Sequence, residues 1–275
     1  MELITALKVM FLGLVEGITE WLPISSTGHM LLVDEFLSLP FSDAYKSMFF
    51  VVIQLGAILA VVVLFWNRLF PFDFRPGKPT MKKQSWLLWA KVLVACLPAI
   101  VVGLPLDDFL EANLHTPVVI ALALILYGVA FIIIERRHKG RRPRVDRVDD
   151  ISFATALGIG IFQVLSLIPG TSRSGSTIIG ALLLGVSRTA AAEFTFFLAV
   201  PVMFGASAMK LVKFGLDFTG PEIAALLLGV VVAFLVSLAV IRFLMAFVKR
   251  HDFQPFGWYR IVLGAVVLFY FFGIA

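Results

Sequence analysis

The stretch that decides the fold reads PISSTGH at residues 23–29, and a similar stretch, PGTSRSGST, occupies residues 169–177. Each stretch separates two apolar runs that are too short, or too interrupted by polar residues, to cross a bilayer as a helix of about 20 residues. These short runs cover residues 3–15, 22–33, 151–168 and 176–186. Because irregular backbone is tolerated at membrane depth only where it lines a protein cavity, each pair of runs predicts a re-entrant helical hairpin.

Six further apolar runs are long enough, or nearly long enough, to span the bilayer. They cover residues 47–66, 86–106, 117–134, 194–212, 222–248 and 258–275. Three spans follow each hairpin, and a hairpin returns to its own side, so the second half begins on the opposite side of the membrane. The sequence therefore predicts an all-α integral membrane protein with six transmembrane helices and two re-entrant hairpins, arranged as an inverted-topology repeat. Its first repeat covers residues 1–134, a basic cytoplasmic linker covers 135–150, and the second repeat covers 151–275.

The composition excludes a water-soluble globular protein, because 60% of the 275 residues are hydrophobic and only 15% are charged. Fourteen Lys and Arg residues fall in connectors on one predicted side of the membrane, and two fall on the other. That bias predicts a cytoplasmic basic side, with both termini and the first hairpin on the outer side. The positive charge lies in short connectors, so we expect contact with membrane lipid and no nucleic-acid binding. The linker 135–150 is expected to be a lipid-facing connector and not a binding site.

Two carboxylates mark the first break. Glu16 and Glu20 lie four residues apart, so they share one face of the first short helix. Two carboxylates tolerate burial if they share a proton, bind a cation or meet an arginine. The alternative is a helix end in the headgroup layer, with both side chains in water.

Hydroxyl residues begin the helix that follows this break. Ser25, Ser26 and Thr27 are first of all candidate N-caps. The same helix start offers free backbone N–H groups and the positive end of the helix dipole, which together form an anion site. His29 can act as acid, base or donor near neutral pH.

The second break combines an arginine with hydroxyl residues. Arg173 carries a permanent charge and can form forked contacts with phosphate oxygens. Its neighbours in the break are Gly170, Thr171, Ser172, Ser174, Ser176 and Thr177. Together with a helix start, these groups predict a phosphate cradle. The alternative is a capped loop whose arginine extends to the lipid headgroups.

Other polar residues in apolar segments have simpler interpretations. Gln54 and Gln163 are lesser candidates, and Gln54 is expected to hydrogen-bond inward. Arg188 and Glu193 are expected to flank a helix boundary and to pair with each other. Arg260 is expected to begin the last span near its cytoplasmic end and to extend to the headgroups.

The two breaks together suggest a reaction. Carboxylates beside a phosphate cradle would repel the substrate unless a cation bridges them. Hard divalent cations take oxygen ligands, which indicates Mg²⁺ or Ca²⁺ held by Glu16 and Glu20. Apolar surroundings suit a lipid tail, so we expect metal-assisted phosphoryl chemistry on a lipid phosphate.

At these residues the chain resembles a known family. EGITEWLPISSTGH at 16–29 and PGTSRSGST at 169–177 are similar to the signatures of the undecaprenyl-diphosphate phosphatases, the bacitracin-resistance protein family. FFVVIQLGAILAVV at 49–62 and GVSRTAAAEFTFFLAVPVMFGA at 185–206 also fit. The resemblance implies a bacterial plasma-membrane enzyme that converts undecaprenyl diphosphate to the monophosphate and inorganic phosphate. That activity would recycle the lipid carrier for peptidoglycan synthesis and confer bacitracin resistance.

The resemblance also implies roles for particular residues. Glu16 and Glu20 would hold the divalent cation or order the attacking group. Ser26 would be the nucleophile with His29 as its partner, and a metal-bound water is the competing attacker. Arg173 would bind the diphosphate at a site open to the outer, periplasmic face. The remaining candidates for substrate binding are Ser25, Thr27, Gln54, Gly170, Thr171, Ser172, Ser174, Thr177 and Arg260.

Two other functions fit the same pattern. Inverted repeats with broken helices are typical of secondary transporters, so a polyprenyl-phosphate flippase or anion transporter is the main alternative. A non-catalytic binder of lipid phosphate is the third. The leaflet of substrate access, the cation used in the cell and a homodimeric state are left open at this point.

Overall fold

The structure is a computed structural model that describes residues 1–74, 80–215 and 217–273, without the side chains of residues 107, 108 and 111. Within those residues the chain is helical, with two isolated β-bridges and no strand. The first half contains α1 (Leu3–Thr19), α2 (Ser26–Phe36), α3 (Asp43–Val52), α4 (Gln54–Leu64), α5 (Trp66–Leu69), α6 (Lys83–Leu114) and α7 (Pro117–His138). The second half contains α8 (Phe153–Val164), α9 (Arg173–Leu183), α10 (Arg188–Phe214), α11 (Gly220–Phe247) and α12 (Gln254–Gly273).

Six helices of the described chain are long and apolar enough to cross a membrane, which confirms the predicted number of spans. They are α3 with α4, the first part of α6, and α7, α10, α11 and α12. The first span is interrupted only at Ile53, whose backbone stays right-handed helical at φ −61° and ψ −21°. The two predicted short pairs become α1 with α2 and α8 with α9.

The outer surface of the helices is apolar, as a lipid environment requires. On α11, Leu227, Val231 and Leu235 are 60%, 51% and 58% exposed, and they recur every four residues. Gly229 and Ala233 lie on the opposite face of the same helix and are buried. Exposure of such an apolar face to water is unfavourable in free energy, whereas its exposure to lipid hydrocarbon is not. The chain is therefore a multi-pass membrane protein.

The two halves pack against each other crosswise. The first short helix of each half contacts the second long helix of the other half, so α1 lies on α11 and α8 lies on α6. Close backbone approach requires glycine at both crossings. A Cβ atom at Gly13 would lie 2.9 Å from the Gly229 carbonyl oxygen, and one at Gly160 would lie 2.3 Å from the Ala95 carbonyl oxygen. The third long helices, α7 and α12, pack on each other.

The backbone of the segment 135–150 is held by helix formation and by hydrogen bonds to a neighbouring turn. Its first four residues extend α7 to His138. The backbone N–H groups of Arg144 and Val145 donate to the Gly185 carbonyl oxygen at 2.8 and 3.1 Å, and Ser187 N–H donates to the Val145 carbonyl oxygen at 2.8 Å. The linker is thereby held on the turn between α9 and α10.

The predicted ion pair between Arg188 and Glu193 is wrong. Arg188 donates from Nε to both oxygens of Glu135 at 2.9 and 3.0 Å, whereas Glu193 pairs with Arg68. Five residues along an α-helix correspond to a rotation of about 500°, so the two side chains of α10 point in different directions. Each therefore finds a partner on another segment.

Candidate active site

The two breaks share one backbone conformation. Ser25 and Ser172, which precede α2 and α9, have φ angles of +72° and +73°. Each serine caps its helix, because its Oγ accepts from the backbone N–H of a glycine three residues later, at 3.3 Å for Gly28 and 3.1 Å for Gly175. Positive φ is uncommon for a residue with a side chain and is concentrated at functional sites. Two matching instances indicate a shared constraint on these helix starts.

Glu20 joins the two breaks through both of its carboxylate oxygens. Oε1 accepts from Arg173 Nη2 at 3.0 Å and from Arg173 Nε at 3.3 Å. Oε2 accepts from the Ser26 hydroxyl at 3.0 Å. Ser26 is the first residue of α2 and Arg173 is the first residue of α9, so a carboxylate, a hydroxyl and a guanidinium meet where two helices begin.

Arg173 points into the protein. Its side chain is 11% exposed, and Nη1 donates to the Thr195 carbonyl oxygen at 2.9 Å. The guanidinium carbon also lies 5.9 Å from the centre of the Trp21 ring. The alternative in which Arg173 extends to the lipid headgroups is therefore wrong.

The neighbouring hydroxyl groups stabilise this arrangement. Ser174 Oγ donates to the Glu20 carbonyl oxygen at 3.1 Å and so connects the second break to the first. Thr177 Oγ1 donates to the Arg173 carbonyl oxygen at 2.9 Å and lies 2.9 Å from Thr195 Oγ1. Ser174 and Thr177 thus position the backbone around the charged pair, and their predicted contact with substrate stays a prediction.

His29 contacts other groups than Ser26. Its Nδ1 donates to the Ser25 carbonyl oxygen at 2.7 Å, since a carbonyl oxygen can only accept. In the neutral ring Nε2 is then an acceptor, and it lies 2.7 Å from the Tyr259 hydroxyl. The hydroxyl of Ser26 instead donates to Glu20, so the structure does not form the predicted Ser26–His29 pair.

Arg260 lies at the centre of the molecule. The helix α12 begins at Gln254, not at 258, and the Arg260 side chain is fully buried. Its guanidinium donates to the carbonyl oxygens of Pro23 at 3.2 Å and of Gly170 and Thr171 at 2.9 Å. The expectation that it extends to the headgroups is wrong, because its partners are the backbones of both breaks.

The remaining predicted positions are less well defined by contacts. Gln54 is half-buried at the first residue of α4, and Thr27 is exposed at the second residue of α2. Thr171 is buried behind the second break. Gly170 has φ +88°, and a Cβ atom there would lie 2.5 Å from the Ile120 carbonyl oxygen, so only glycine fits. Their roles toward a substrate stay predictions.

Unpartnered polar atoms concentrate around the two breaks. Buried polar side-chain atoms normally have a hydrogen-bond partner. Among the described residues, the buried atoms without one are Glu16 Oε1, Trp21 Nε1, Asp34 Oδ1, both amide atoms of Gln163, and Thr171 Oγ1. All except Asp34 belong to the breaks or to the helices that lead into them. These atoms can therefore bind a ligand, an ion or water.

A divalent cation would have few protein ligands here. The described residues contain no group of three or more His, Cys, Asp or Glu that could hold a metal ion. Glu16 and Glu20 remain as two carboxylates, and Glu16 is buried with one oxygen unpartnered. Mg²⁺ is commonly held by one or two carboxylates together with substrate phosphates and water. Both oxygens of Glu20 already accept from Arg173 and Ser26, so the unpartnered Oε1 of Glu16 is the carboxylate oxygen of the pair that has no competing partner for such an ion.

The sequence did not indicate several residues of this site. Thr195, Tyr259 and Trp21 contact Arg173 or His29. Thr195 lies in the stretch 185–206 that fits the family, but nothing in that stretch indicated its role, and Tyr259 lies outside the quoted motifs. Trp21 follows Glu20 directly, and that position within the motif was a usable signal. Gln163 appeared as a minor candidate, and its burial between packed helices gives it more weight.

Comparison with known proteins identifies the family of this chain. The sequence model of the family described as "Bacitracin resistance protein BacA" matches residues 9–266. The chain is 66% identical over 269 residues to a protein of Enterococcus faecalis named undecaprenyl-diphosphatase, with 98% of each chain covered. It is 59% identical to proteins of the same name from Desulfitobacterium hafniense and Lachnoclostridium phytofermentans, again over 98% of each chain. The chain therefore belongs to the bacitracin resistance protein BacA family.

Proposed function

We propose that this chain is an undecaprenyl-diphosphate phosphatase, which releases inorganic phosphate and undecaprenyl phosphate. The observation that carries the proposal is the position of Glu20, whose carboxylate holds the Ser26 hydroxyl on one oxygen and the Arg173 guanidinium on the other. The names and the identity of the relatives support the same activity. By that activity the protein recycles the lipid carrier for peptidoglycan synthesis and lowers sensitivity to bacitracin.

Ser26 is the attacking group in this proposal. Its hydroxyl lies within hydrogen-bond distance of a carboxylate, which is the geometry of an activated nucleophile. As Ser26 Oγ bonds to the terminal phosphorus, its proton passes to Glu20 and undecaprenyl phosphate leaves with the electrons of the broken P–O bond. Water then hydrolyses the phosphoserine and frees phosphate. Detection of phosphate on Ser26 would separate this route from direct attack by water.

The positive groups of the site bind the diphosphate. Three of the five N–H groups of Arg173 donate to Glu20 and Thr195, and the other two can donate to the diphosphate. The helices α2 and α9 direct their N-terminal N–H groups and dipoles toward the same region. Positioned charges of this kind supply most of the catalysis in phosphoryl transfer. Glu16 and Glu20 would hold a Mg²⁺ or Ca²⁺ ion, which when bound neutralises the diphosphate charge that these carboxylates would otherwise repel.

We further propose that α1 with α2 and α8 with α9 are re-entrant hairpins of an inverted repeat. The helices are short, at 17, 11, 12 and 11 residues, and their connections carry the site. Leu7, Phe11 and Leu14 form an exposed apolar stripe on α1, as expected for contact with lipid. The crosswise packing of the halves supports a two-fold relation. The Lys and Arg bias supports a cytoplasmic basic side and a site open to the outer face of the bacterial plasma membrane.

A transporter is the competing function for this architecture. Anion binding alone requires Arg173 and the helix starts, whereas attack on phosphorus also requires a hydroxyl beside a carboxylate, as Ser26 is beside Glu20. The test is release of phosphate from a polyprenyl diphosphate by the purified protein in detergent, where no second compartment exists. A protein that binds the lipid but releases no phosphate under these conditions is a binder or a transporter.

Replacing Arg173 by lysine is expected to reduce turnover by about 100-fold or more. An ammonium group cannot reproduce the fork that donates to Glu20 from Nε and Nη2 and to Thr195 from Nη1. Phosphate release by purified variants measures the effect. The matched control is Arg136→Lys, since Arg136 is exposed in the last turn of α7, and it should behave as the wild type. Normal turnover by Arg173→Lys would contradict the proposal that the Arg173 guanidinium binds the diphosphate.

Removal of divalent cations is expected to abolish turnover. EDTA should inactivate the enzyme, and added Mg²⁺ or Ca²⁺ should restore it. A second measurement tests the ligands directly: Mg²⁺ should raise the thermal unfolding temperature of the wild type but not that of Glu16→Gln. Activity that survives complete chelation would show that the two carboxylates serve another purpose.

A further inference from the structure

A basic cavity lies at the C-terminal end of α9, whereas Arg173 begins that helix. Its volume is about 470 Å³, and it opens between the C-terminal ends of α7 and α11, the N-terminal end of α10 and the linker. It shares no residue with the site around Glu20 and Arg173. By the distribution of Lys and Arg, it lies on the side of the membrane opposite to the proposed opening of that site.

The charge of this cavity is strongly positive. Exposed Arg141, Arg142, Arg144 and Lys249 line it. Among the described residues that line it, Glu135 is the one carboxylate, and its side chain is fully buried. That carboxylate is neutralised inside the protein, because it accepts from Arg188 and from the backbone N–H of Phe253 at 3.0 Å. The four exposed cations therefore have no carboxylate partner among the described residues that line the cavity.

The cavity also has an apolar side. Leu183 and Leu184, at the end of α9, line it and are 49% and 37% exposed. A site for a soluble anion has no need of exposed leucines beside its cations. A ligand with a charged head and a hydrocarbon tail would cover both surfaces.

The backbone of the cavity is preorganised. The N–H groups of Arg144 and Val145 and the carbonyl oxygen of Val145 attach the linker to the turn at Gly185 and Ser187. The linker backbone at Arg144 and Val145 is thus fixed beside the turn that follows α9. Helix-dipole compensation accounts for Arg136 and Arg137, which lie in the last turn of α7, but not for residues 141–144.

We propose that this cavity binds the phosphate headgroup of an anionic phospholipid from the leaflet on the basic side, with its acyl chains along Leu183 and Leu184. Basic pockets between the ends of transmembrane helices are suited to such headgroups. The linker is then a lipid-binding element, which revises the expectation of a connector without a site. The proposal does not depend on the phosphatase activity.

The test compares two triple variants that remove the same number of charges. The first is Arg141→Gln with Arg142→Gln and Lys249→Gln, all of which line the cavity. The control is Arg136→Gln with Arg137→Gln and Arg250→Gln, which are exposed nearby and outside it. Native mass spectrometry of the purified chain would measure binding of phosphatidylglycerol, with phosphatidylcholine and inorganic phosphate as separate additions. Phosphate release by each variant would report whether the fold is intact.

The first triple variant is expected to bind phosphatidylglycerol at least about tenfold more weakly than the wild type, because each basic residue contributes to attraction of an anionic lipid. The control should bind as the wild type, phosphatidylcholine should bind weakly to all three, and phosphate release should be unchanged. Equal losses in both triples would overturn the proposal. So would cavity-dependent binding of inorganic phosphate without binding of the lipid. If the first triple does not fold, the single variants Lys249→Gln and Arg250→Gln carry the same comparison.

Discussion

Replacing Glu20 by glutamine should reduce the kcat for phosphate release by about 100-fold or more. The carboxylate accepts from the Ser26 hydroxyl on one oxygen and from the Arg173 guanidinium on the other. Glutamine keeps the size of the side chain but offers one acceptor oxygen and cannot take the proton of Ser26. The variant should still bind the diphosphate, because Arg173 is then free of its carboxylate partner. Steady-state phosphate release and binding of a non-hydrolysable diphosphate measure the two effects.

The chain offers a matched control for this experiment. Glu135 is also a buried carboxylate that pairs with an arginine, Arg188, but it lies beside the basic cavity. Glu135→Gln should lower stability, since glutamine leaves one acceptor oxygen for Arg188 and the N–H of Phe253 and removes the charge that pairs with Arg188, while turnover per folded molecule stays near the wild-type value. Full turnover by Glu20→Gln, or an equal loss in Glu135→Gln, would contradict the assignment of Glu20 as the base.

Replacing Arg260 by methionine is the second prediction with a large effect, and here both stability and turnover should fall. The guanidinium donates to carbonyl oxygens on both breaks, at Pro23, Gly170 and Thr171. Methionine relieves the burial of a charge but leaves several acceptors without a donor, each at about 1–3 kcal/mol. We expect the free energy of unfolding to fall by about 2 kcal/mol, because three unsatisfied carbonyl acceptors together cost more than is regained by no longer burying the charge.

Turnover should fall more than stability explains. Arg260 connects the carbonyl groups just before α2 and α9, so its loss lets the two helix starts shift relative to each other. A displacement of about 1 Å at a reacting centre can cost about 100-fold in rate. Thermal unfolding and the kcat of the folded fraction would be measured together. Arg242→Met removes an exposed arginine from α11 and should change neither quantity. A stable, fully active Arg260→Met would show that the breaks need no common anchor.

Much of this protein could be predicted from local sequence. Hydropathy and run length are local properties, so the six spans and the two short pairs were correct to within a few residues. The serines, glycines and prolines of the breaks determine helix starts. Glu20 and Arg173 lie in the same motifs, where a carboxylate and a guanidinium indicate charged contacts. Glu20 and Arg173 are 153 residues apart in the chain. Their contact was predictable because the two similar breaks were expected to meet near the middle of the membrane.

Other pairings could not be predicted, because they depend on the rotation of helices that are distant in the chain. Ser26 hydrogen-bonds Glu20 while His29 faces Tyr259, and no local pattern distinguishes these partners from the expected ones. Arg260 was expected at a span end, since the last apolar run starts at residue 258, whereas α12 begins at Gln254.

The amino-acid sequence by itself determined the membrane class, the number of spans and the two interrupted helix pairs, because these follow from composition and short-range spacing. Only the tertiary structure decided which donor meets which acceptor. In it, Arg260 hydrogen-bonds the backbones of both breaks, and Arg188 pairs with Glu135 and not with Glu193. The linker packs beside α9 and α10 and lines a basic cavity with them. These outcomes depend on close packing between the halves, where a small rotation of one helix changes every partner along its face.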